Sequence, residues 1–224
     1  MSLYIQKVNS YFSNVRHDLI SFLPKKKVGR ILEVGAGSGD TLVEIKKRDL
    51  AGEVIGIELM KLPGTNQGNP LIDRFIFADF ETLQDQFEPN SFDVIICGDV
   101  LEHLIDPWAV VSKLNNLLVW DGLLIISTPN ARYFEMFLNV FIKGSFHYTD
   151  HGLFDKTHLR FFCKKDLVRL VIMNDHLRID KVTAGFNVFK KSKIYFLNLI
   201  TLGLFEQLLA LQYIVCAKRI KTDG

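Results

Sequence analysis

Short apolar runs alternate with stretches of helical periodicity along most of this chain. Ile31, Leu32 and Val34 form the first run, Glu53 to Ile57 the second and Phe75 to Ala78 the third. Ser91 to Cys97 and Gly122 to Ser127 follow. Runs this short, apolar on both faces, read as buried strands. Between them, Leu42, Val43 and Ile45 predict a helix to about Arg48, broken by Gly52. Pro107 opens another through Trp108, Val111, Leu114 and Leu118. Ahead of all this, Tyr4, Val8, Tyr11 or Phe12, Val15 and Leu19 recur at helical spacing, and Pro24 ends the pattern. Lys25 to Lys27 read as a solvated link to the first strand. Strands separated by helices give an α/β, doubly wound parallel sheet.

The pattern is interrupted twice. Met60 to Arg74 holds Pro63, Gly64, Gly68 and Pro70, and no full helix can be drawn through it. From Arg132 onward aromatics crowd in: Tyr133, Phe134, Phe137, Phe141, Phe146 and Tyr148.

Composition narrows the class. The chain has 224 residues, 48% hydrophobic and 23% charged, so one packed domain is expected. The formal charge is +2 with no basic block beyond Lys25 to Lys27, which argues against a dedicated nucleic-acid partner. Cys97, Cys163 and Cys216 are far apart. They suit a reducing compartment, hence the cytoplasm, with neither disulfide framework nor zinc site. The N-terminus lacks the pattern of a signal peptide.

Candidate chemistry centres on Arg30 to Asp40. Gly35, Gly37 and Gly39 stand at alternate positions between a strand and a helix. Glycine lets the backbone turn sharply or touch a ligand, and the helix start offers unpaired N–H groups. A dinucleotide fingerprint would place its third glycine one residue later, where Asp40 stands. That weakens a nicotinamide-dependent oxidoreductase. Glu58, at the end of the second strand, lies about twenty residues past the glycines, the offset at which an acid meets ribose hydroxyls.

The form Glu33-x-Gly35-x-Gly37-x-Gly39 resembles motif I of the class I S-adenosylmethionine-dependent methyltransferases. With Glu58, Asp79 and the run from Phe92 to Leu104, the resemblance covers about residues 28–130. Gly98-Asp99-Val100-Leu101-Glu102-His103-Leu104, Thr128-Pro129-Asn130 and Asp155-x-x-His158-x-Arg160-Phe161 are similar to the subgroup containing the ubiquinone-pathway O-methyltransferases.

The resemblance implies a Rossmann-like sheet of seven strands, mostly parallel. Leu177 to Thr183 would be the sixth strand and Gln212 to Lys218 an antiparallel seventh. Lys164 to Met173 would be a helix packed near the active site. The whole chain, 1–224, would form one domain. Residues 1–27 make its leading helix, 28–130 its cofactor core and 131–163 an aromatic lid. Residues 164–224 complete the sheet around a helical insertion. Tyr133 to Ile142 would be the lid helix and Lys143 to Phe154 a loop.

S-adenosylmethionine is the implied cofactor, held by Glu33, Gly35, Ala36, Gly37, Gly39, Glu58, Leu59, Asp79, Phe80, Gly98 and Asp99. Asp79 would accept from the adenine amino group while Phe80 packs on the ring. His103 or His158 would be the general base, and Tyr133, Phe137, His151 and Arg160 would line the small-molecule acceptor site. Glu102 beside His103 is too little to signal a metal, so none is expected.

Leu197, Ile200, Leu204, Leu208 and Leu211 share a helical face, and 194–211 could serve as a homodimer face or a peripheral membrane contact. A span over Ile194 to Ala217 is disfavoured by Asn198, Glu206, Gln207 and Gln212, since one mid-span carboxylate costs about 2.5–3.5 kcal/mol. A cofactor-binding protein without chemistry is the other class of function, separated from an enzyme by methyl-transfer assay.

Overall fold

The computed structural model describes residues 14–84, 86–174, 176–186, 200 and 205–221. The first four strands are β1 (Val28–Val34), β2 (Ala51–Glu58), β3 (Arg74–Phe77) and β4 (Phe92–Gly98). The others are β5 (Leu118–Pro129), β6 (Leu177–Gly185) and β7 (Gln212–Arg219). They form one sheet in the order β3-β2-β1-β4-β5-β7-β6. The first five run parallel, and β7 lies antiparallel between β5 and β6. The seven expected strands are therefore all present.

Neighbouring residues on a strand point to opposite faces. Leu32 and Ile95 accordingly join one core with Val111, Leu114, Leu167 and Leu170, contributed by α3 (Pro107–Leu117) and α5 (Lys164–Ile172). Ile31 and Ile96 join the other with Leu19, Ile20, Leu42 and Ile45, from α1 (His17–Ile20) and α2 (Asp40–Lys47). Each such side chain contributes about 1.5–3 kcal/mol on burial, so β1 and β4 are fixed from both sides. The order reverses between β1 and β4, and the crevice outside their carboxyl ends is where doubly wound sheets bind ligands.

Three boundaries differ from expectation. The helix after the glycine turn ends at Lys47 as expected, but Asp49, at φ 54°, rather than Gly52 turns the chain, and β2 starts at Ala51 rather than Glu53. β5 begins at Leu118 rather than Gly122, since Leu118 pairs with Phe92 and a register shift absorbs the extra residues. β3 ends at Phe77, though Ala78 still donates to Glu58 O at 3.0 Å.

Between Met60 and the start of β3 at Arg74 the one helical element is a single 3-10 turn, Asn66–Gly68. The segment expected as a lid helix is α4 (Phe134–Met136), continuing as a wider-wound turn over Phe137–Ile142. The leading helix expected through Val15 and Leu19 is not continuous: residues 14–16 are non-helical, Arg16 caps α1, and α1 covers only His17–Ile20, with Leu19 fully buried. Tyr4, Val8, Tyr11 and Phe12, and most of 194–211, lie outside the described residues. Among the described residues no helix is long and apolar enough to cross a membrane. Cys97 and Cys216 are buried, Cys163 is half-buried, and all three are free.

Candidate active site

The glycine turn is built for close approach. Gly35, Gly37 and Gly39 have φ of 71°, 51° and 82°, a region costly for residues with a Cβ. Gly39 leads into α2. Glu58, 4% exposed at the end of β2, accepts from Gly37 N at 2.9 Å and Leu59 N at 2.8 Å. Burial raises its carboxyl above the ordinary range, and these N–H groups work against that shift. Glu58 thus ties the turn to the neighbouring strand end, with Leu59 beside it and Ala36 buried in the core.

Asp99 follows β4 at φ 55° and accepts from Ser127 Oγ at 2.7 Å. It also accepts from Arg16 Nη1 at 2.5 Å. The Arg16 guanidinium donates further to Asp18 and, at 3.1 Å, to Ser127 Oγ. Burial opposes its charge, but Asp99 and Asp18 outweigh burial and push it above the ordinary arginine range. Gly98 lies beneath, where an added Cβ would come within 2.6 Å of Leu19 and 3.2 Å of Arg16 Nη1.

Glu33 is 5% exposed, and its Oε2 has no hydrogen-bond partner among the described residues. Burial pushes its carboxyl up to about 8, against the opposing pull of Arg16 and Thr41. Between the ordinary value of 4.5 and about 8, the folded chain keeps a proton that the unfolded chain has lost. Stability therefore falls as pH rises through that window. Glu33→Gln removes this contribution, worth at most about 1.4 kcal/mol per pH unit. Melting curves of both proteins across the window should diverge with rising pH, the variant holding its Tm better. Parallel curves would place the proton elsewhere.

Asp79 and Phe80 follow β3. Asp79 Oδ1 accepts from Glu81 N at 2.9 Å, an Asx turn. Phe80 is 5% exposed within the core, with Lys113 Nζ 4.4 Å from its ring centroid.

The histidines meet. Their ring centroids are 4.8 Å apart, His103 after β4 and His158 in the segment before α5. Thr157 Oγ1 donates to Asp155 Oδ1 at 2.7 Å, leaving its lone pairs to accept from His103 Nδ1 at 3.1 Å. Thr157 O stands at the same 3.1 Å. His158 Nδ1 faces Leu153 O at 3.2 Å. Acceptors at both Nδ1 atoms put the basic lone pair of each neutral ring on Nε2.

Glu102, 2% exposed, has neither carboxylate oxygen hydrogen-bonded among the described residues. Burial first, then Asp99, raise its carboxyl well above the ordinary range. Glu102, His103 and His158 each bring one ligand atom within 4.8 Å of the others. His158 is thus a third donor that the adjacent pair gave no reason to expect. Metal-bound histidines commonly donate their other nitrogen to a carbonyl, as both do here.

The remaining expected residues are dispersed. Tyr133 is 1% exposed, packed with Leu153 and Phe154, and its hydroxyl has no partner among the described residues. Phe137 is 52% exposed. His151 lies on an exposed loop, its carbonyl accepting from Thr149 Oγ1. Arg160 donates to Ile105 O at 2.6 Å. It lines a groove of 320 Å³ with Trp108, Phe161, Arg169 and Met173.

Sequence reasoning missed two participants. Arg16 sat in the apolar helical pattern with nothing to mark it. Gln67, 8% exposed, donates to Gly37 O at 2.8 Å and Met60 O at 2.9 Å. Nearby, Asn66 donates to Asp40 Oδ1 at 2.7 Å. The segment without a helix therefore braces the glycine turn through side chains, which no periodicity reveals.

A glycine turn at a switch point, an acid on the next strand end and a reversed seventh strand define the class I S-adenosylmethionine-dependent methyltransferase fold. The chain belongs to the methyltransferase domain family, whose pattern matches residues 8–172. It is similar to the ubiquinone biosynthesis O-methyltransferase of Neisseria meningitidis serogroup C, 33% identical over 106 residues, 45% of this chain and 44% of that protein. The enzyme of the same name from Idiomarina loihiensis is 27% identical over 198 residues, 85% of this chain and 74% of that protein. The chain spans about half the length of most of the curated relatives it matches first, 44–52%. Among solved structures, an S-adenosylmethionine-dependent methyltransferase from Archaeoglobus fulgidus superposes with a TM-score of 0.63 at 16% identity, covering 90% of each chain. One from Mesorhizobium loti gives 0.63 at 16%, covering 90% of this chain and 96% of that one.

Proposed function

We propose that this chain transfers a methyl group from S-adenosylmethionine to an oxygen or nitrogen of a small-molecule acceptor. The observation that carries the reading is Glu58, buried at a strand end and bonded to Gly37 of the turn. Two acceptor oxygens there suit a pair of adjacent sugar hydroxyls. The turn's glycines leave room for the amino-acid tail of the cofactor, beside Glu33 and the Arg16 charge that acts on it. In this reading Asp79 and Leu59 would flank the adenine, and Gly98 and Asp99 would lie beneath the cofactor.

Held there, the cofactor would supply a methyl group already activated on a sulfonium sulfur. The protein's part is alignment, which lowers such barriers by roughly 7–11 kcal/mol. His103 Nε2, held by Thr157 and Asp155, takes the acceptor's proton, with His158 beside it. A positioned base adds about 10²–10⁴-fold. The name shared by the curated relatives supports an oxygen acceptor. Tyr133 lines the acceptor's side: a buried hydroxyl left unpaired costs about 1–3 kcal/mol, which a ligand would offset.

His103→Ala and His158→Ala are expected to bind S-adenosylmethionine as the parent does. At least one should lose about 10²-fold or more of turnover against small-molecule extracts. Equal turnover in all three proteins would remove the base. Activity abolished by a chelator and restored by a divalent cation would instead assign Glu102, His103 and His158 to a metal. Cofactor binding without any methyl transfer would leave a binding protein.

A further inference from the structure

Ile105 is 71% exposed in the turn that leads from β4 into α3. Its backbone is nevertheless pinned. Glu81 accepts from Ile105 N at 3.1 Å and from Asp106 N at 2.8 Å, and Arg160 Nη2 donates to Ile105 O at 2.6 Å. An apolar side chain held out on a fixed backbone loses little freedom when another surface covers it. It stands on this face as a rigid knob.

Beside the knob opens the groove of 320 Å³. Asp166, Arg169, Leu170 and Met173 stand at i, i+3, i+4 and i+7 along α5 and its C-cap, so they share the side that faces it. Trp108, at the start of α3, and Phe161 complete the lining. Trp108, Phe161 and Met173 are 44%, 43% and 61% exposed. Tryptophan, phenylalanine, methionine and arginine together are the composition of a protein–protein interface. The charges come in both signs, Asp106 and Asp166 with Arg160 and Arg169. Asp166 and Arg169 are 3.8 Å apart with side chains 52% and 75% exposed, so their pairing is loose and open to exchange.

We propose that this face joins a second copy of the chain about a two-fold axis, Ile105 of each copy seated in the groove of the other. A two-fold contact sets one patch against itself, so knob, hole and both signs of charge must lie on the same face. Here they do. Two acids and two bases leave neither sign in excess, so the face complements itself better than it complements a partner of one strong charge. The proposal does not depend on the methyltransferase reading.

The test is sedimentation velocity of the full chain from low to high micromolar concentration. The parent should pass from the mass of one chain to that of two and stop there. Ile105→Ser removes the knob, and Met173→Lys blocks the groove. Burying one such side chain favours association about 10–100-fold, and a two-fold contact loses it twice, so each variant should associate about 10²–10⁴-fold more weakly. Mixed in equal amounts, the two variants keep one intact knob for one intact groove. The mixture should therefore associate more tightly than either variant alone. Phe141→Ser, on the exposed segment after β5, should match the parent. All three positions are more than half exposed, so circular dichroism is expected to match throughout. A parent that stays monomeric overturns the proposal and gives the face to a different partner. So do variants that dimerise as the parent does, a mixture no tighter than its components, a parent that grows past two copies, or a dimer that Phe141→Ser alone dissolves.

Discussion

Glu58→Ala should weaken S-adenosylmethionine binding by about 10²–10⁴-fold. Charge-assisted hydrogen bonds contribute about 1.5–3 kcal/mol each, and the sugar would make two of them. The carboxylate is already in place, 2.9 Å from Gly37 N and 2.8 Å from Leu59 N, so little ordering is left for binding to drive. Removing it also strands the buried Gly37 N–H, so the turn loosens as the ligand loses its partner. Glu58→Gln keeps one acceptor oxygen and should fall between the parent and Ala. Isothermal calorimetry reads all three; an Ala variant within threefold of the parent would be a poor fit to a sugar at this site.

The second large effect is on stability. Gly35 has φ of 71°, and a Cβ built on it lies 2.3 Å from Val100 Cγ2. Gly35→Ala combines a left-handed backbone, costing about 1–3 kcal/mol, with an overpacked contact costing about 1–3 kcal/mol more. A loss of about 2–6 kcal/mol is expected in urea unfolding. The two contributions can be separated. Val100→Ala removes the methyl in the way but leaves φ unchanged, so in the Gly35→Ala background it should recover only the packing part. A double-mutant cycle with no coupling would mean that Val100 simply rotates aside.

Much of this was readable from the residues because it is local. The glycine spacing, the acid ending the second strand and the apolar runs are each contained in a few consecutive positions, and backbone sterics act at that range. Their strands formed where expected, with ends moved by Asp49 and by the shift opposite Phe92. Glu58 ends the second strand as expected; its bond to Gly37 of the turn was not part of that expectation. Phe80 shows the limit: a position after a strand end fits a ligand ring and a core equally well, and the structure buries it under Lys113.

What stayed hidden depends on partners far away in sequence. Arg16 meets Asp99 and Ser127 only after α1 has packed on the sheet. Gln67 is one polar residue in an irregular stretch until it donates to Gly37. His103 and His158 were each visible, but their contact depends on how the segment before α5 folds back over Glu102. Arg160 belongs to that same segment, and its guanidinium turns to Ile105 O and the outer groove. Charge alone does not say which way a long side chain leaves the backbone.

The central claim is that the crevice between the carboxyl ends of β1, β2 and β4 holds a sulfonium nucleoside. Crystals of the full chain grown with saturating S-adenosylhomocysteine test it most directly. The expected map shows the sugar hydroxyls on Glu58 and the amino-acid tail against Gly37. Density for the ligand at another place, or an unfilled crevice in a protein that also shows no calorimetric heat, would contradict it.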